Sequence, residues 1–163
     1  MASHDGEQPV RLSEEDLRRW GHRIGEMLTP PAVLALSGPL GAGKSVLARA
    51  IGAGAGVREA MPSPTYTLVQ RYGASSGREV VHLDLYRIDA PDDLWELGWA
   101  QLPGESDLVL VEWPERAGEL LPHDHWRIEL ATPPGQPHLR DVEVVRVGTP
   151  HELAPFPMSV AGA

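Results

Sequence analysis

The segment Gly38-Pro39-Leu40-Gly41-Ala42-Gly43-Lys44-Ser45 constrains this chain more than any other. It follows a short apolar run, Ala32–Ser37, and precedes a helix-compatible stretch, Ser45–Gly54. The run AVLALS lacks polar alternation, as a strand covered on both faces requires. A Gly-rich turn between such a strand and a helix matches G-x-x-x-x-G-K-[ST] in full. Glycines 38, 41 and 43 allow left-handed backbone dihedrals with no Cβ in the way. Successive N–H groups, that of Ala42 among them, then turn inward as an anion nest. The helix starting near Lys44 aims its positive end at the same point. In such a loop the lysine, here Lys44, reaches the β- and γ-phosphates of a nucleoside triphosphate, and the hydroxyl, here Ser45, binds Mg2+.

Of fourteen Lys and Arg residues, Lys44 is the only lysine. A chain that otherwise uses Arg keeps a compact ammonium where a planar guanidinium is a poor substitute. The formal net charge of −9 argues against a broad grip on a nucleic-acid backbone, which needs clustered cations. There is no cysteine, so disulfides, thiolate metal sites and a Cys nucleophile are excluded. The seven histidines show no metal-ligand spacing, and His123 and His125 read as surface residues of a loop. The start MASHDGEQPV has neither the basic residues nor the apolar run of a signal peptide. No apolar stretch approaches a membrane span. The expected setting is the cytoplasm, with no membrane partner.

Patterning suggests one α/β domain over 13–148, between a flexible leader (1–12) and a mobile tail rich in Pro, Ala and Gly (149–163). Ser13 and Asp16 resemble a capping box. Leu17, Trp20, Ile24 and Leu28 then give a helical period over 14–28, ended by Thr29-Pro30-Pro31. The helix after the Gly-rich loop is expected to fray at Gly52, Gly54 and Gly56. Thr65–Tyr72 and Glu79–Arg87 read as strands able to pair as a hairpin. Pro91–Leu97 and Glu115–Leu121 read as short helices, and Leu108–Val111, Trp126–Ala131 and Val142–Val147 as further strands. The expected architecture is a single P-loop NTPase domain with a mixed, mostly parallel central sheet flanked by helices.

A magnesium–triphosphate site needs carboxylates at strand ends beside the loop. Glu112 ends the apolar strand LVLV, where open α/β sheets place ligand-facing residues. Asp84 is a second candidate, though taken alone it reads equally as a strand residue on a solvated face. Ser63–Thr67 reads either as a nucleotide switch, with a hydroxyl meeting the γ-phosphate and magnesium, or as a Ser/Pro turn. Trp113 either stacks on a nucleotide or partner or belongs to the core. Three activities compete with ATP hydrolysis. A small kinase would use Arg71, Arg78 or Arg87 over the phosphates, but no lid insertion is visible. A GTPase switch would need N-K-x-D, which the sole lysine cannot supply. An adaptor with little turnover of its own also fits, since small P-loop proteins hydrolyse slowly until a partner completes the site.

Four blocks in series, LGAGKS, SPTYTLVQRY (63–72), HLDLYR (82–87) and LVEWPER (110–116), resemble the TsaE (YjeE) family of small bacterial P-loop ATPases. The resemblance spans about residues 13–130. It implies ATP and Mg2+ as cofactors and a place in tRNA threonylcarbamoyladenosine modification at adenosine 37. The implied partner is the TsaD–TsaB complex, which ATP hydrolysis resets between turnovers, with tRNA met only through that complex. By position, Lys44 takes the phosphate role, with Gly38, Gly41, Ala42, Gly43 and Val46 as its loop. Ser45, Glu112 and Asp84 take the metal side, and Lys44, Glu112, Asp84 and the switch-like Thr65 the catalytic roles. Trp113 would lie close to the nucleotide, and Ser13 and Glu14 would approach it from the first helix. The family loop commonly reads G-D-L-G-A-G-K-T-T. Pro39 here removes one N–H, Ser45 keeps the magnesium hydroxyl, and Val46 lacks a hydroxyl that would touch the α-phosphate.

Overall fold

The computed structural model describes residues 9–155. Its strands are β1 (Val10–Ser13), β2 (Ala32–Ser37), β3 (Val69–Gly73), β4 (Glu79–Asp84), β5 (Asp107–Glu112), β6 (His125–Ala131) and β7 (Leu139–Val147). Its two α-helices are α1 (Glu14–Met27) and α2 (Lys44–Ala55). The strands form one sheet in the order β1-β7-β6-β2-β5-β4-β3. The inner four, β6, β2, β5 and β4, run parallel, and antiparallel pairs close both edges. The expected mixed α/β sheet is therefore present, as is the β3–β4 hairpin.

Alternation along the strands divides two apolar layers. Leu34, Leu36, Val80, Leu108 and Leu110 meet Leu17, Trp20, Ile24, Leu47 and Ile51 of the two helices. Val33, Val81, Leu83, Val109 and Val111 face Leu94, Trp99 and Ala117 on the other side. Burying a side chain of this size contributes about 1.5–3 kcal/mol. The second layer comes from 3-10 turns at Pro91–Leu97, Trp99–Gln101, Pro114–Arg116 and Gly118–Leu120, where short helices were expected.

Ser13 caps α1 by accepting the Asp16 N–H at 3.1 Å. The helix after the Gly-rich loop runs on to Ala55 instead of fraying. Its glycines are contact points: a Cβ on Gly54 would lie 1.9 Å from the His22 carbonyl of α1. The absent side chain lets the two helices touch along their backbones.

Three boundaries differ from the sequence expectation. Residues 10–12, assigned to the leader, belong to β1, because β7 offers an antiparallel partner from Leu139 to Val142. The start of the assigned tail packs on the domain: Trp126 Nε1 donates to the His151 carbonyl at 2.8 Å, Trp20 Nε1 to that of Ala154 at 3.3 Å, and Ala154 is buried. The rest of the leader to residue 8 and the tail from 156 lie outside the described residues. Thr65–Leu68 is a turn rather than strand, closed by the Leu68 N–H on the Pro64 carbonyl at 2.7 Å. At the far end of the hairpin β4 stops at Asp84, whose carboxylate takes the Tyr86 N–H at 3.0 Å and turns the chain.

Candidate functional site

The parallel strands β2, β4 and β5 end side by side, with Glu112 between Leu36 and Asp84 in register. The loop from β2 into α2 crosses this edge. Its last glycine, Gly43, caps α2 at φ 103°, a left-handed conformation that residues with a Cβ rarely adopt. A cavity of about 260 Å³ lies between the loop and the strand ends. Gly41, Ala42, Gly43, Lys44, Ser45 and Val46 line one side, and Ser63, Thr65, Asp84, Glu112 and Trp113 the other.

Lys44 is nearly covered, at 5% exposure. Its ammonium donates to the carbonyls of Gly38 and Pro39 and sits 3.9 Å from the centroid of the Trp113 ring. Burial pushes its pKa below the ordinary 10.5, against the opposing pull of Glu112, Glu115 and Asp84. No carboxylate pairs with it directly among the described residues. Its contacts are neutral carbonyls and an aromatic face, which a phosphate oxygen would outbid electrostatically.

Glu112 is held at both oxygens. Ser45 Oγ donates to Oε1 at 3.0 Å, and His82 Nε2 lies 2.5 Å from Oε2. Asp84, at 5% exposure, is no solvated strand residue. Its Oδ2 accepts the Thr65 hydroxyl at 3.3 Å and the Ser63 hydroxyl at 3.4 Å. Ser63 and the turn that starts at Thr65 thus deliver two hydroxyls to the carboxylate. Trp113 reaches Lys44 because its backbone takes φ 57°, uncommon for a bulky residue. Its ring also meets that of Tyr86, with centroids 5.0 Å apart.

A hydroxyl and two carboxylates are hard oxygen donors that suit magnesium. Among the described residues no three His, Cys, Asp or Glu side chains gather to hold a metal by themselves. Magnesium typically takes one or two carboxylates and completes its shell with phosphate and water, so the donor set fits a cation that arrives with a nucleotide.

Two expected contacts are not brought to the cavity. Ser13 spends its hydroxyl on the α1 cap, and Glu14 pairs with Arg18 on the helix surface. Gly38 does not line it either, but its carbonyl receives Lys44. Sequence reasoning missed Arg140. This β7 residue lies beside Leu12 in register and approaches the loop, its Nη2 3.4 Å from the Gly41 carbonyl. Its Nε is buried without a partner, and no carboxylate pairs with it among the described residues. No local pattern marks it; only the β1–β7 pairing brings it to the loop. The arginines considered for a kinase lid are engaged elsewhere: Arg71 with Glu79 and Asp107, Arg87 over the Tyr66 ring, and Arg78 on helix-end carbonyls. His125, read as a surface residue, is a buried member of β6 whose Nδ1 meets the Pro122 carbonyl at 2.8 Å.

The model of the family described as "Threonylcarbamoyl adenosine biosynthesis protein TsaE" matches residues 12–139. A Treponema pallidum protein named for tRNA threonylcarbamoyladenosine biosynthesis, TsaE, is 33% identical over 69% of this chain and 82% of its own length. The Streptomyces coelicolor protein of that name is 34% identical over 70% and 78%. Among solved structures, Bacillus subtilis YdiB superimposes with a TM-score of 0.67 at 25% identity, covering 90% of each chain. Because the family model spans residues 12–139 and the two named relatives are 33% and 34% identical over more than two thirds of the chain, the chain belongs to the TsaE family.

Proposed function

We propose that this chain binds ATP with magnesium and hydrolyses it as a component of tRNA threonylcarbamoyladenosine biosynthesis in the cytoplasm. It acts on the TsaD–TsaB complex so that the complex turns over repeatedly, and it meets tRNA only through that complex. The observation that carries the catalytic part is the convergence of Lys44, the Ser45–Glu112 pair and Asp84 on one cavity beneath the loop. Among the described residues no helix is long and apolar enough to cross a membrane.

The residues divide the work as follows. The N–H groups of Gly41, Gly43 and Lys44 and the α2 N-terminus hold the phosphates, whereas that of Ala42, expected among them, donates to the Pro39 carbonyl at 3.1 Å. The Lys44 ammonium leaves its carbonyl acceptors for the β- and γ-phosphate oxygens. Arg140 adds a second cation at the outer side of the loop. Ser45, Glu112 and Asp84 would hold magnesium, directly or through water, and bound there it would supply charge neutralisation to the phosphate oxygens. Thr65, its hydroxyl on Asp84 at 3.3 Å, takes the switch role toward the γ-phosphate. Water attacks the γ-phosphorus in line, the bond to the β–γ bridging oxygen breaks, and ADP and phosphate result. Prearranged charge lowers the barrier because the negative charge on those oxygens shifts as the bond breaks.

Turnover with TsaD–TsaB present tests this. Lys44→Ala and, separately, Glu112→Ala should abolish ATP hydrolysis while circular dichroism shows an intact fold. Full turnover in both variants refutes the catalytic assignment. Failure to associate with TsaD–TsaB in a pull-down, with or without ATP, refutes the pathway assignment alone.

A further inference from the structure

We propose that His82 is a positioning residue for Glu112, clamping one carboxylate oxygen so that the other remains turned toward Ser45 and a divalent cation. The proposal rests on the magnesium–ATP reading above. His82 is wholly buried on β4, two residues before Asp84, so both project from the helix-covered face of the sheet with Leu110 and Glu112 of β5. Its Nε2 lies 2.5 Å from Glu112 Oε2, while Ser45 Oγ lies closer to Oε1, at 3.0 Å, than to Oε2, at 3.3 Å. The carboxylate is held between one donor from the sheet and one from the phosphate loop.

The choice of residue does not follow from packing. Val80 precedes His82 on the same face and Leu110 lies beside it in register, so a leucine would suit this layer. A carboxylate oxygen accepts, so in this contact Nε2 is the donor and Nδ1 is the nitrogen left over. Among the described residues Nδ1 is buried without a partner, which is destabilising. The imidazole is accounted for by the bond its other nitrogen makes. Groups that orient a metal ligand from behind matter to affinity: their loss typically lowers it about 10–100-fold.

The test uses Mn2+ as the probe, with its affinity for the protein–ADP complex read by electron paramagnetic resonance at protein in excess of nucleotide. The variants are His82→Leu, His82→Gln and His82→Asn, each with a thermal melt in the absence of nucleotide. We expect His82→Leu to melt no lower than the parent yet bind Mn2+ about 10–100-fold more weakly. His82→Gln, whose amide nitrogen reaches the place of Nε2, restores most of the affinity, and the shorter His82→Asn does not. Parental Mn2+ affinity in His82→Leu would overturn the proposal, as would equal rescue by Asn and Gln. Should His82→Leu fail to fold, the Gln–Asn comparison decides. Absence of nucleotide-dependent Mn2+ binding in the unsubstituted protein would overturn the magnesium–ATP reading itself, a result separable because it needs no change at His82.

Discussion

Replacing Arg78 with alanine removes a guanidinium that closes the C-terminal ends of both helices. Arg78 Nη1 donates to the carbonyls of Gly25 at 2.8 Å and Leu28 at 3.2 Å, at the end of α1. Nη2 donates to that of Ala55, the last residue of α2, at 3.1 Å, and Nε to that of Ser75 at 3.0 Å. Neither helix has a basic residue of its own in its last turn, so this one cation opposes both negative helix ends. Hydrogen bonds to a charged group contribute about 1.5–3 kcal/mol each. They share one side chain, and water replaces part of them on truncation, so the loss should be about 2–4 kcal/mol rather than their sum. For a chain of this size that lowers Tm by about 5–15 °C. Arg78→Lys should recover less than half, because one ammonium cannot span the ends of two helices. The catalytic consequence is nil by distance: the 12 residues of α2 put about 18 Å between Arg78 and the phosphate loop. Thermal melts and ATP turnover well below Tm check both halves. A Tm within about 2 °C of the parent, or a changed KM for ATP in the cold, refutes the reasoning.

Two further outcomes follow from groups the sequence did not mark. Arg140→Ala should raise the KM for ATP about 10–100-fold, the equivalent of one charge-assisted hydrogen bond, and leave Tm nearly unchanged; an unaltered KM removes Arg140 from the nucleotide site. His125 is held below its ordinary pKa of 6.5, burial being the largest cause. Since the unfolded chain then binds more protons between the two values, stability is full above pH 6.5 and falls as pH drops toward the folded-state pKa. His125→Phe should flatten that acid limb in urea titrations, and an identical slope in the variant would rule His125 out as its source.

What could be read in advance was whatever depends on neighbours in sequence. Ala32–Ser37 and the strand ending at Glu112 were legible because burial on both faces removes alternation, and the Ser13 cap because its partner lies three residues on. The phosphate loop was legible because its geometry demands glycines. What failed to show depends on distant partners. Val10–Leu12 is a strand only because β7 returns beside it, and the first part of the assigned tail is fixed through its carbonyls by Trp20 and Trp126, which composition cannot signal. Asp84 looked solvated because a carboxylate in a strand usually is; its burial becomes tolerable through the hydroxyls of Ser63 and Thr65 and the Tyr86 N–H. The same turn explains why 65–68 is not strand, so one interaction accounts for a misplaced boundary and an underestimated site residue together.

The charge around Lys44 makes a final demand on how nucleotide arrives. Glu112, Glu115 and Asp84 all exert their charge on one ammonium, and the chain as a whole is acidic. A bare triphosphate entering this cavity meets carboxylates that repel it at close range and little solvent to screen them. A divalent cation offsets that repulsion, since the same carboxylates then attract the metal carried on the phosphates. Nucleotide and magnesium should therefore bind with strong positive coupling, within the usual range of about 5–150-fold. By reciprocity ATP should strengthen Mg2+ or Mn2+ binding by the same factor. Removing Glu112 should weaken the coupling from both sides: Glu112→Gln is expected to bind ATP better than the parent in EDTA and worse in magnesium. Calorimetric titration of the catalytically silent nucleotide ADP, with and without metal, measures this cycle. Equal affinities in EDTA and magnesium would mean that the carboxylates do not govern entry, and the assignment of Glu112 to the metal side would fall.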